Sequence, residues 1–322
     1  MALTFVLSGC ANAPTFLKPA SSITAEETQL YEIIVVLSAI VFLIVEGLLI
    51  YVLVRYRLRR ADDEIPGQTY RNLLLESIWT AIPLILVTVL FIFTVRSVWA
   101  VAAPQPQTSD INVRVVGHRW WWEFDYPDLG IVTANELHVP VGGVVQIELE
   151  SVDVVHSFWV PRLSGKTDVL PGQTNHMWFK AEELGVFRGH CAEYCGLNHA
   201  NMRIHVVVES QTDFQAWVAN QQKPAAEPQT DLQKRGREIL TTGVCHNCHT
   251  VGEHTAVSPI GPNLTHLFSR SVFAGATYQL NEENVRRWIQ HSEEMKPGND
   301  MADVHPSADD VDALVAYLTR LK

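Results

Sequence analysis

The sequence predicts three structural parts: a transmembrane hairpin of two helices, an all-β domain and an all-α domain. Two apolar runs, 33–54 and 73–95, are each long enough for a helix that spans a bilayer. Beyond residue 104, short runs of alternating apolar and polar residues are separated by Pro and Gly, which is typical of an antiparallel β sandwich or barrel. Helical patterns return after residue 230, and 322 residues are enough for two or three domains.

The composition limits the partners and the cysteine chemistry. The formal net charge is −11, which argues against a nucleic acid partner. Of the five cysteines, four form two close pairs, Cys191 with Cys195 and Cys245 with Cys248. This spacing is typical of metal or cofactor ligands, so we expect no structural disulfide.

Residues 1–25 are expected to be a signal-like N-terminal segment. Within them, L-S-G-C at 7–10 resembles a bacterial lipobox, in which the sulfur of the cysteine, here Cys10, receives lipid. The nine residues before Cys10 lack the basic region and the long apolar core of an ordinary signal peptide. The alternative is a free or buried thiol near a membrane segment.

Residues 26–103 are expected to form the hairpin, with helices at about 33–54 and 73–95. The connecting loop is rich in arginine: Arg55, Arg57, Arg59, Arg60 and Arg71. By the positive-inside rule this loop is cytoplasmic, so the chain after about residue 97 lies outside the cytoplasm. Glu46 lies inside the first helix, where we expect it to be protonated or hydrogen-bonded against a partner subunit.

Residues 104–222, the β domain, begin with the linker 104–108. Runs with strand character follow at 111–116, 144–150, 174–179 and 204–209. A rigid sheet that carries its functional residues on loops at one end is a common arrangement for a metal site.

Residues 190–202 read H-C-A-E-Y-C-G-L-N-H-A-N-M and carry two thiols, an imidazole and a thioether. Such soft ligands suit copper better than magnesium or calcium. The two thiols are spaced so that both can reach a metal and share a pair of ions. A closed zinc site is the alternative, although zinc sites usually combine two closely spaced ligand pairs.

Together with V-H-S-F-W-V at 155–160, this segment resembles the dinuclear copper (CuA) site of subunit II of the haem-copper cytochrome c oxidases. The resemblance implies a cupredoxin-like fold for the β domain. It also implies a magnesium ion shared with subunit I, which the side chain of Glu193 would reach. The implied copper ligands are the bridging thiolates Cys191 and Cys195, the terminal ligands His156 and His199, the weak ligand Met202 and the backbone carbonyl of Glu193.

The string G-H-R-W-W-W-E-F at 117–124 also belongs to the resemblance. The family carries an aromatic string here, and its first tryptophan accepts electrons from cytochrome c. That position is Trp120, with Trp121 beside it. An aromatic belt at the membrane surface is the alternative. Three consecutive tryptophans cannot all face one core of a strand, so we expect at least one of them to be exposed or at the membrane surface.

Glu76 stands before S-I-W-T-A-I-P, which resembles the start of the second helix in the same family. The resemblance places a glutamate here near the mouth of a proton channel of subunit I. An ordinary glutamate at the membrane interface is the alternative.

The segment 223–229 is a Pro-containing tether, and residues 230–322 form the helical domain. This domain contains C-H-N-C-H at 245–249, a pattern typical of covalent c-type haem attachment. The thiols of Cys245 and Cys248 would add across the haem vinyl groups, and His249 would bind the iron. A thioredoxin-like C-x-x-C is the alternative, but the histidine that follows and the absence of a βαβ pattern weigh against it.

The second iron ligand is expected near residue 300. The segment M-K-P-G-N-D-M at 295–301 resembles the family pattern K-P-G-N-x-M, which favours Met301 over Met295 as the ligand. Helices are expected at 230–241 and 307–320, with Gly236 allowing close packing between them. These features resemble a small class I cytochrome c.

The whole pattern resembles subunit II of an aerobic cytochrome c oxidase with a cytochrome c fused at its C-terminus. The resemblance implies that electrons pass from an external cytochrome c or other donor, through haem c and CuA, to subunit I. There oxygen is reduced to water, coupled to proton translocation. It further implies a multi-pass protein of the bacterial plasma membrane, bound by lipid and by subunits I and III, with both redox domains on the outer side. The β domain has fourteen Asp and Glu against seven Lys and Arg, a field that would attract a basic donor.

Three other functions are compatible with parts of the sequence. A nitrous oxide or nitric oxide reductase could use the same copper centre, although the hairpin and the fused haem favour the oxygen enzyme over the former. A quinol oxidase subunit II is excluded unless the complete ligand set is idle, because that class lacks these metal ligands. A membrane-anchored copper chaperone would need no haem motif.

Overall fold

The computed structural model describes residues 14–57, 67, 70–101, 109–301 and 306–322. Cys10, the linker 104–108 and two arginines of the hairpin loop, Arg59 and Arg60, lie outside the described residues. Residues 25–103 form one structural unit, and residues 104–322 make up most of a second.

The first unit consists of two long helices, α1 (Ser22–Arg55) and α2 (Leu73–Val101). Both are long and apolar enough to cross a membrane, and most of their large apolar side chains are exposed. Helix α1 begins at Ser22, before the predicted helix start at about residue 33 and inside the segment 1–25. The predicted start of the hairpin is therefore wrong. The reason is local, because residues 25–32 are rich in good helix formers such as Ala, Glu, Gln and Leu.

The β domain contains two five-stranded sheets, with strand orders β3-β2-β1-β5-β8 and β4-β10-β9-β6-β7. The strands are β1 (Ile111–His118), β2 (Trp121–Tyr126), β3 (Ile131–Ala134), β4 (Glu136–Pro140), β5 (Val144–Ser151), β6 (His156–Trp159), β7 (Thr167–Val169), β8 (Asn175–Lys180), β9 (Gly185–Cys191) and β10 (Arg203–Glu209). The four predicted strands are confirmed as β1, β5, β8 and β10. Each sheet also contains one parallel pair, β1 with β5 and β4 with β10.

The core of the β domain follows from the alternation of apolar residues along its strands. On β5, Val145, Ile147 and Leu149 are fully buried, while the residues between them are partly or fully exposed. Aromatic rings fill much of the interior, and the ring of Trp122 meets that of Phe158 edge to face at 5.5 Å. The sheets thus form a rigid support for the loops at their ends.

The second part of this unit is helical. After α3 (Gln211–Gln221), the helical domain contains α4 (Asp231–Thr242), α5 (Glu282–Met295), α6 (Ala308–Leu318) and the short strands β11 (Val272–Phe273) and β12 (Tyr278–Gln279). Thr230 and Gln233 form a capping box at the start of α4, and Ser307 caps α6. A Cβ at Gly236 would overlap the backbone of α6, so the predicted close packing is confirmed.

The segment 223–229 packs against the helical domain instead of hanging free. The carbonyl of Lys223 lies 3.0 Å from Nε2 of His266. Ala225 packs on the apolar cluster between α4 and α6, and Glu227 forms an ion pair with Arg237. The predicted tether is therefore an ordered connection.

Candidate copper and haem sites

The sulfur-rich segment folds as a loop between two paired strands. Cys191 ends β9, and β10 begins directly after Met202. Gly196 lies between them with φ of 111°, a conformation that favours glycine, and a Cβ there would lie 3.1 Å from the ring of Trp120. The amide of His199 then donates to the carbonyl of Gly196, which closes a turn and brings His199 back toward the sulfur atoms.

The predicted copper ligands converge on one point. Sγ of Cys191 lies 3.7 Å from Sγ of Cys195 and 3.9 Å from Nδ1 of His156. Sγ of Cys195 lies 3.6 Å from Nδ1 of His199 and 3.9 Å from Sδ of Met202. The carbonyl oxygen of Glu193, the sixth predicted ligand, lies 3.2 Å from Sγ of Cys191.

This cluster is largely shielded from water. Cys191, Cys195, His156 and Met202 are all buried, and His156 and Met202 are fully so. Hydrogen bonding with Cys195 lowers the pKa of the Cys191 thiol, and the same contact raises the pKa of Cys195. Thiolate character is therefore already favoured at Cys191, and the thiolate is the form of cysteine that binds metals.

The donor set fits copper. Two thiolates, two imidazoles and a thioether are soft or intermediate ligands, and a buried thioether adds nothing to a closed zinc site of cysteine and histidine. His156, Cys191 and Cys195 bring ligand atoms within 4.8 Å of one another among the described residues, which is compact enough for metal ions.

Asp153 supports the site from behind His156 and was not among the predicted site residues. Its Oδ1 lies 2.8 Å from Nε2 of His156, while its two oxygens accept from the amides of Val154 and Arg119. Burial alone would raise the pKa of Asp153, but the bond to His156 and the two amide bonds outweigh it and lower the pKa. The signal in the sequence was a carboxylate three residues before a predicted ligand, since ligating histidines usually bond to such a group through their other nitrogen.

The side chain of Glu193 lies apart from this cluster. It is 45% exposed, and its Oε2 lies 3.9 Å from Nζ of Lys166. Its carboxylate is thus accessible for a second, harder ion, while its carbonyl faces the sulfur atoms.

The tryptophan string differs from expectation, because Trp120, Trp121 and Trp122 are all buried. The indole of Trp120 donates to the carbonyl of Cys195 at 2.9 Å, and that of Trp121 donates to the carbonyl of Ile260 at 3.1 Å. Ile260 belongs to the helical domain, so Trp121 is buried by residues outside the β domain. The expected exposure of one tryptophan is therefore wrong.

The haem motif forms a single tight turn. The amides of Cys248 and His249 both donate to the carbonyl of Cys245, so one backbone turn carries the two thiols and the imidazole. Nδ1 of His249 lies 2.9 Å from the carbonyl of Pro262, which leaves Nε2 available for iron. Burial lowers the pKa of His249 and favours the neutral imidazole that a metal needs.

Both candidate methionines lie near the end of α5. Met295 is its last residue and is buried, and its carbonyl accepts from the hydroxyl of Tyr278. Met301 follows in a loop and is half-buried, with its amide donating to Oδ1 of Asn299 at 2.8 Å. Gly261 packs on His249 so closely that a Cβ would lie 2.5 Å from the imidazole. The fixed imidazole and the paired thiols fit a covalently bound haem.

The acidic residues of the hairpin have more ordinary surroundings. Glu76 accepts from the amide of Asn72 at 3.0 Å, while Oδ1 of Asn72 accepts from the amide of Leu75. These bonds satisfy backbone amides at the start of α2 that have no partner within the helix, so Glu76 helps to cap α2. Glu46 lies on α1 and is partly exposed in this chain alone.

Three family models match successive parts of the chain. The transmembrane domain of cytochrome c oxidase subunit II matches residues 11–96, and its periplasmic domain matches residues 130–210. A cytochrome c model matches residues 233–322. The order of these models agrees with the three predicted parts.

Whole relatives align along nearly the full length. Cytochrome c oxidase subunit 2 of Alkalihalophilus pseudofirmus is 37% identical, and the match covers 99% of this chain and 95% of that protein. The Bacillus subtilis protein of the same name is 33% identical, with 98% and 94% covered. That of Bacillus sp. strain PS3 is 36% identical, with 83% and 80% covered.

Proposed function

Because the chain belongs to the cytochrome c oxidase subunit II family and ends in a cytochrome c domain, we propose that it receives electrons for a respiratory oxidase through haem c and CuA. The observation that carries the proposal is the convergence of six predicted ligand atoms in the loop after β9 and at the start of β6. Subunit I would receive the electrons, reduce oxygen to water and couple this to proton translocation.

The residues that would hold the dinuclear copper are His156, Cys191, Glu193 through its carbonyl, Cys195, His199 and Met202. Those that would hold haem c are Cys245, Cys248, His249 and Met301. When bound, the copper pair and the haem supply reversible one-electron redox chemistry.

The chain itself contributes rigidity and exclusion of water. Asp153 fixes the ring of His156, so that Nδ1 faces the sulfur atoms. The carbonyl of Pro262 fixes the ring of His249 in the same way. The indole of Trp120 holds the carbonyl of Cys195, which restrains the loop that carries both thiols. A site that is held in one geometry needs little rearrangement when its charge changes, which favours fast electron transfer.

Several finer assignments complete the proposal. The two apolar helices anchor the chain in a membrane, with their connecting loop in the cytoplasm and both redox domains on the outer side of the membrane. Cys10 would carry a lipid. The exposed carboxylate of Glu193 would bind magnesium at the contact with subunit I, since magnesium prefers hard oxygen ligands and keeps several waters. Glu76, in the first turn of α2, would lie near the proton channel of subunit I, and subunit III would complete the complex.

The test is spectroscopy of the full chain, produced with haem maturation and loaded with copper. We expect an absorption spectrum of covalent c-type haem and a paramagnetic spectrum of one unpaired electron shared by two copper nuclei. Cys195→Ser should abolish the shared signal and leave the haem spectrum intact. A single-copper or zinc-selective site with normal haem would contradict the oxidase proposal and leave a membrane-anchored cytochrome c.

Copper transfer separates the chaperone alternative from the oxidase. The loaded chain should retain copper when mixed with a copper-accepting protein, because buried ligands from two strands and a loop enclose the site. Rapid loss of copper to the acceptor, together with no electron transfer from the haem, would favour a chaperone.

A further inference from the structure

A buried carboxylate of the β domain reaches into the helical domain. Glu136, the first residue of β4, is only 2% exposed. Its Oε1 accepts from the amide of Ser271 at 2.8 Å, from the amide of Val272 at 3.0 Å and from the hydroxyl of Ser271. All three donors belong to the helical domain, and hydrogen bonds to an ionised oxygen are among the stronger ones in proteins.

The charge of Glu136 is balanced from several sides. Nε2 of His138 lies 3.7 Å from its carboxylate, and His138 also bonds to Glu209, while the buried guanidinium of Arg270 interacts with Glu136 electrostatically. Burial alone would raise the pKa of Glu136, but the bonds from His138 and Ser271 outweigh it and lower the pKa. The carboxylate therefore stays ionised while the helical domain is docked.

The contact at Ser271 is connected to the loop 260–263. Arg270, which precedes Ser271, donates through Nη2 to the carbonyl of Asn263 at 2.6 Å. Two other carbonyls of this loop serve the proposed function: that of Pro262 meets His249, and that of Ile260 accepts from Trp121. The same loop thus supports the imidazole of His249 and bonds to the indole of Trp121.

On the β-domain side, Glu136 is connected to the tryptophan string through its neighbour Asn135 and Trp122. Asn135 comes just before it, and its amide donates to the carbonyl of Trp122 at 2.9 Å. Oδ1 of Asn135 accepts from the amide of Trp122 at 3.2 Å. The carboxylate and the tryptophan string therefore share one rigid backbone frame, and Trp120 within that string bonds to the carbonyl of Cys195.

We propose that Glu136 is a positioning residue for electron transfer between the two domains. Its carboxylate holds the helical domain in the position at which the carbonyl of Ile260 accepts from the indole of Trp121. Covalent and hydrogen bonds then connect the loop 260–263, beside His249, through Trp121 and Trp120 to the carbonyl of Cys195. The inference rests on the proposed function, because it names the contact across which the electron passes. In the proposed function, one electron would pass from the reduced haem to the oxidised copper pair, and no covalent bond would change.

Undocking would remove all three donors from Glu136 and open a gap between Ile260 and Trp121. Electron tunnelling falls steeply with the width of such a gap, so the position of the helical domain controls the rate. A second contact supports the same arrangement, since Nζ of the buried Lys296 donates to the carbonyl of Trp120 at 2.8 Å and to that of Ala274 at 3.2 Å.

The experiment compares Glu136→Gln with Glu209→Gln in the full chain loaded with haem and copper. Both carboxylates belong to the β domain and pair with His138, and Glu136 in addition accepts from the amides of Ser271 and Val272 in the helical domain. The haem is reduced by a light-activated electron donor added to the solution, and copper reduction is followed by absorbance. We expect Glu136→Gln to slow the transfer at least roughly tenfold, because strong interdomain bonds are weakened, with both absorption spectra unchanged. Equal rates in the two variants would overturn the proposal.

Hydrogen exchange supplies a readout that needs no copper. In the haem-loaded chain, the amides of Ser271 and Val272 and the indole N–H of Trp121 should exchange slowly, and Glu136→Gln should accelerate all three at least roughly tenfold. Unprotected groups in the wild-type chain would overturn the proposal. A chain that binds no dinuclear copper would instead contradict the proposed function and leave this exchange result standing. Ser271→Ala, which removes only the hydroxyl donor, replaces Glu136→Gln if that variant fails to fold.

Discussion

Asp153 gives the sharpest test of how the copper site is held. His156 is fully buried, and its Nε2 has Asp153 as its hydrogen-bond partner at 2.8 Å. Asp153→Ala would leave a buried imidazole nitrogen unsatisfied, which costs about 1–3 kcal/mol. Since about 1.4 kcal/mol corresponds to a tenfold change in an equilibrium constant, we expect copper affinity to fall roughly 10- to 100-fold.

Asp153→Asn should have a smaller effect than Asp153→Ala. The amide oxygen can still accept from His156 and Val154, but the charge is lost and an NH2 group faces the amide of Arg119. Bonds to an ionised acceptor are about twice as strong as neutral ones, so we expect a loss of about tenfold or less.

The assay is competition for copper between the full chain and a chelator of known affinity, with thermal unfolding as a check on the fold. Asp168→Asn serves as the control, because this carboxylate lies exposed on the neighbouring strand β7. Unchanged affinity in folded Asp153→Ala, or an equal loss in Asp168→Asn, would refute the reasoning.

Three further predictions concern stability and the haem site. Gly236→Ala should destabilise the helical domain by about 2 kcal/mol or more in thermal unfolding, because a Cβ would overlap α6. Gly47→Ala is the control: its Cβ would meet open space on α1, so we expect no destabilisation. Burial lowers the pKa of His118 to about 4, so the neutral imidazole contributes its full share to the free energy of unfolding above the pKa of the unfolded chain, and this share is lost as the pH falls. From pH 7 to pH 5 we expect the free energy of unfolding to fall by about 2 kcal/mol, and His118→Gln should reduce this pH dependence in denaturant titrations. Gly261→Ala should displace His249 and convert part of the haem to a high-spin absorption spectrum; an unchanged spectrum would contradict the packing.

The sequence predicted those parts of the site that are contiguous. Cys191, Cys195, His199 and Met202 lie in one loop, so their spacing alone limits how they can meet a metal. The same holds for the C-x-x-C-H motif, in which three ligands lie within one backbone turn. Helix α5 was missed although Asn281 caps it, and β9 was missed because the segment Gly185–Cys191 contains two glycines.

Contacts between distant segments could not be predicted in the same way. At least one of Trp120, Trp121 and Trp122 was expected to be exposed or at the membrane surface, because a single strand offers only one buried face. The helical domain, more than a hundred residues away in sequence, meets Trp121 through Ile260 and the carbonyl of Trp120 through Lys296, while Trp122 packs on Phe158 within the β domain. No periodicity within either segment encodes that contact, since it depends on how two separately patterned cores meet.

Glu136 shows why such contacts matter for function. In the sequence it is one of fourteen acidic residues of the β domain, which were expected to attract a basic donor. A buried carboxylate without partners would be strongly unfavourable, so its place in the structure depends on the donors that the helical domain brings. The fusion of two domains therefore does more than raise the local concentration of a cytochrome: it allows a buried charge on one domain to select one position of the other.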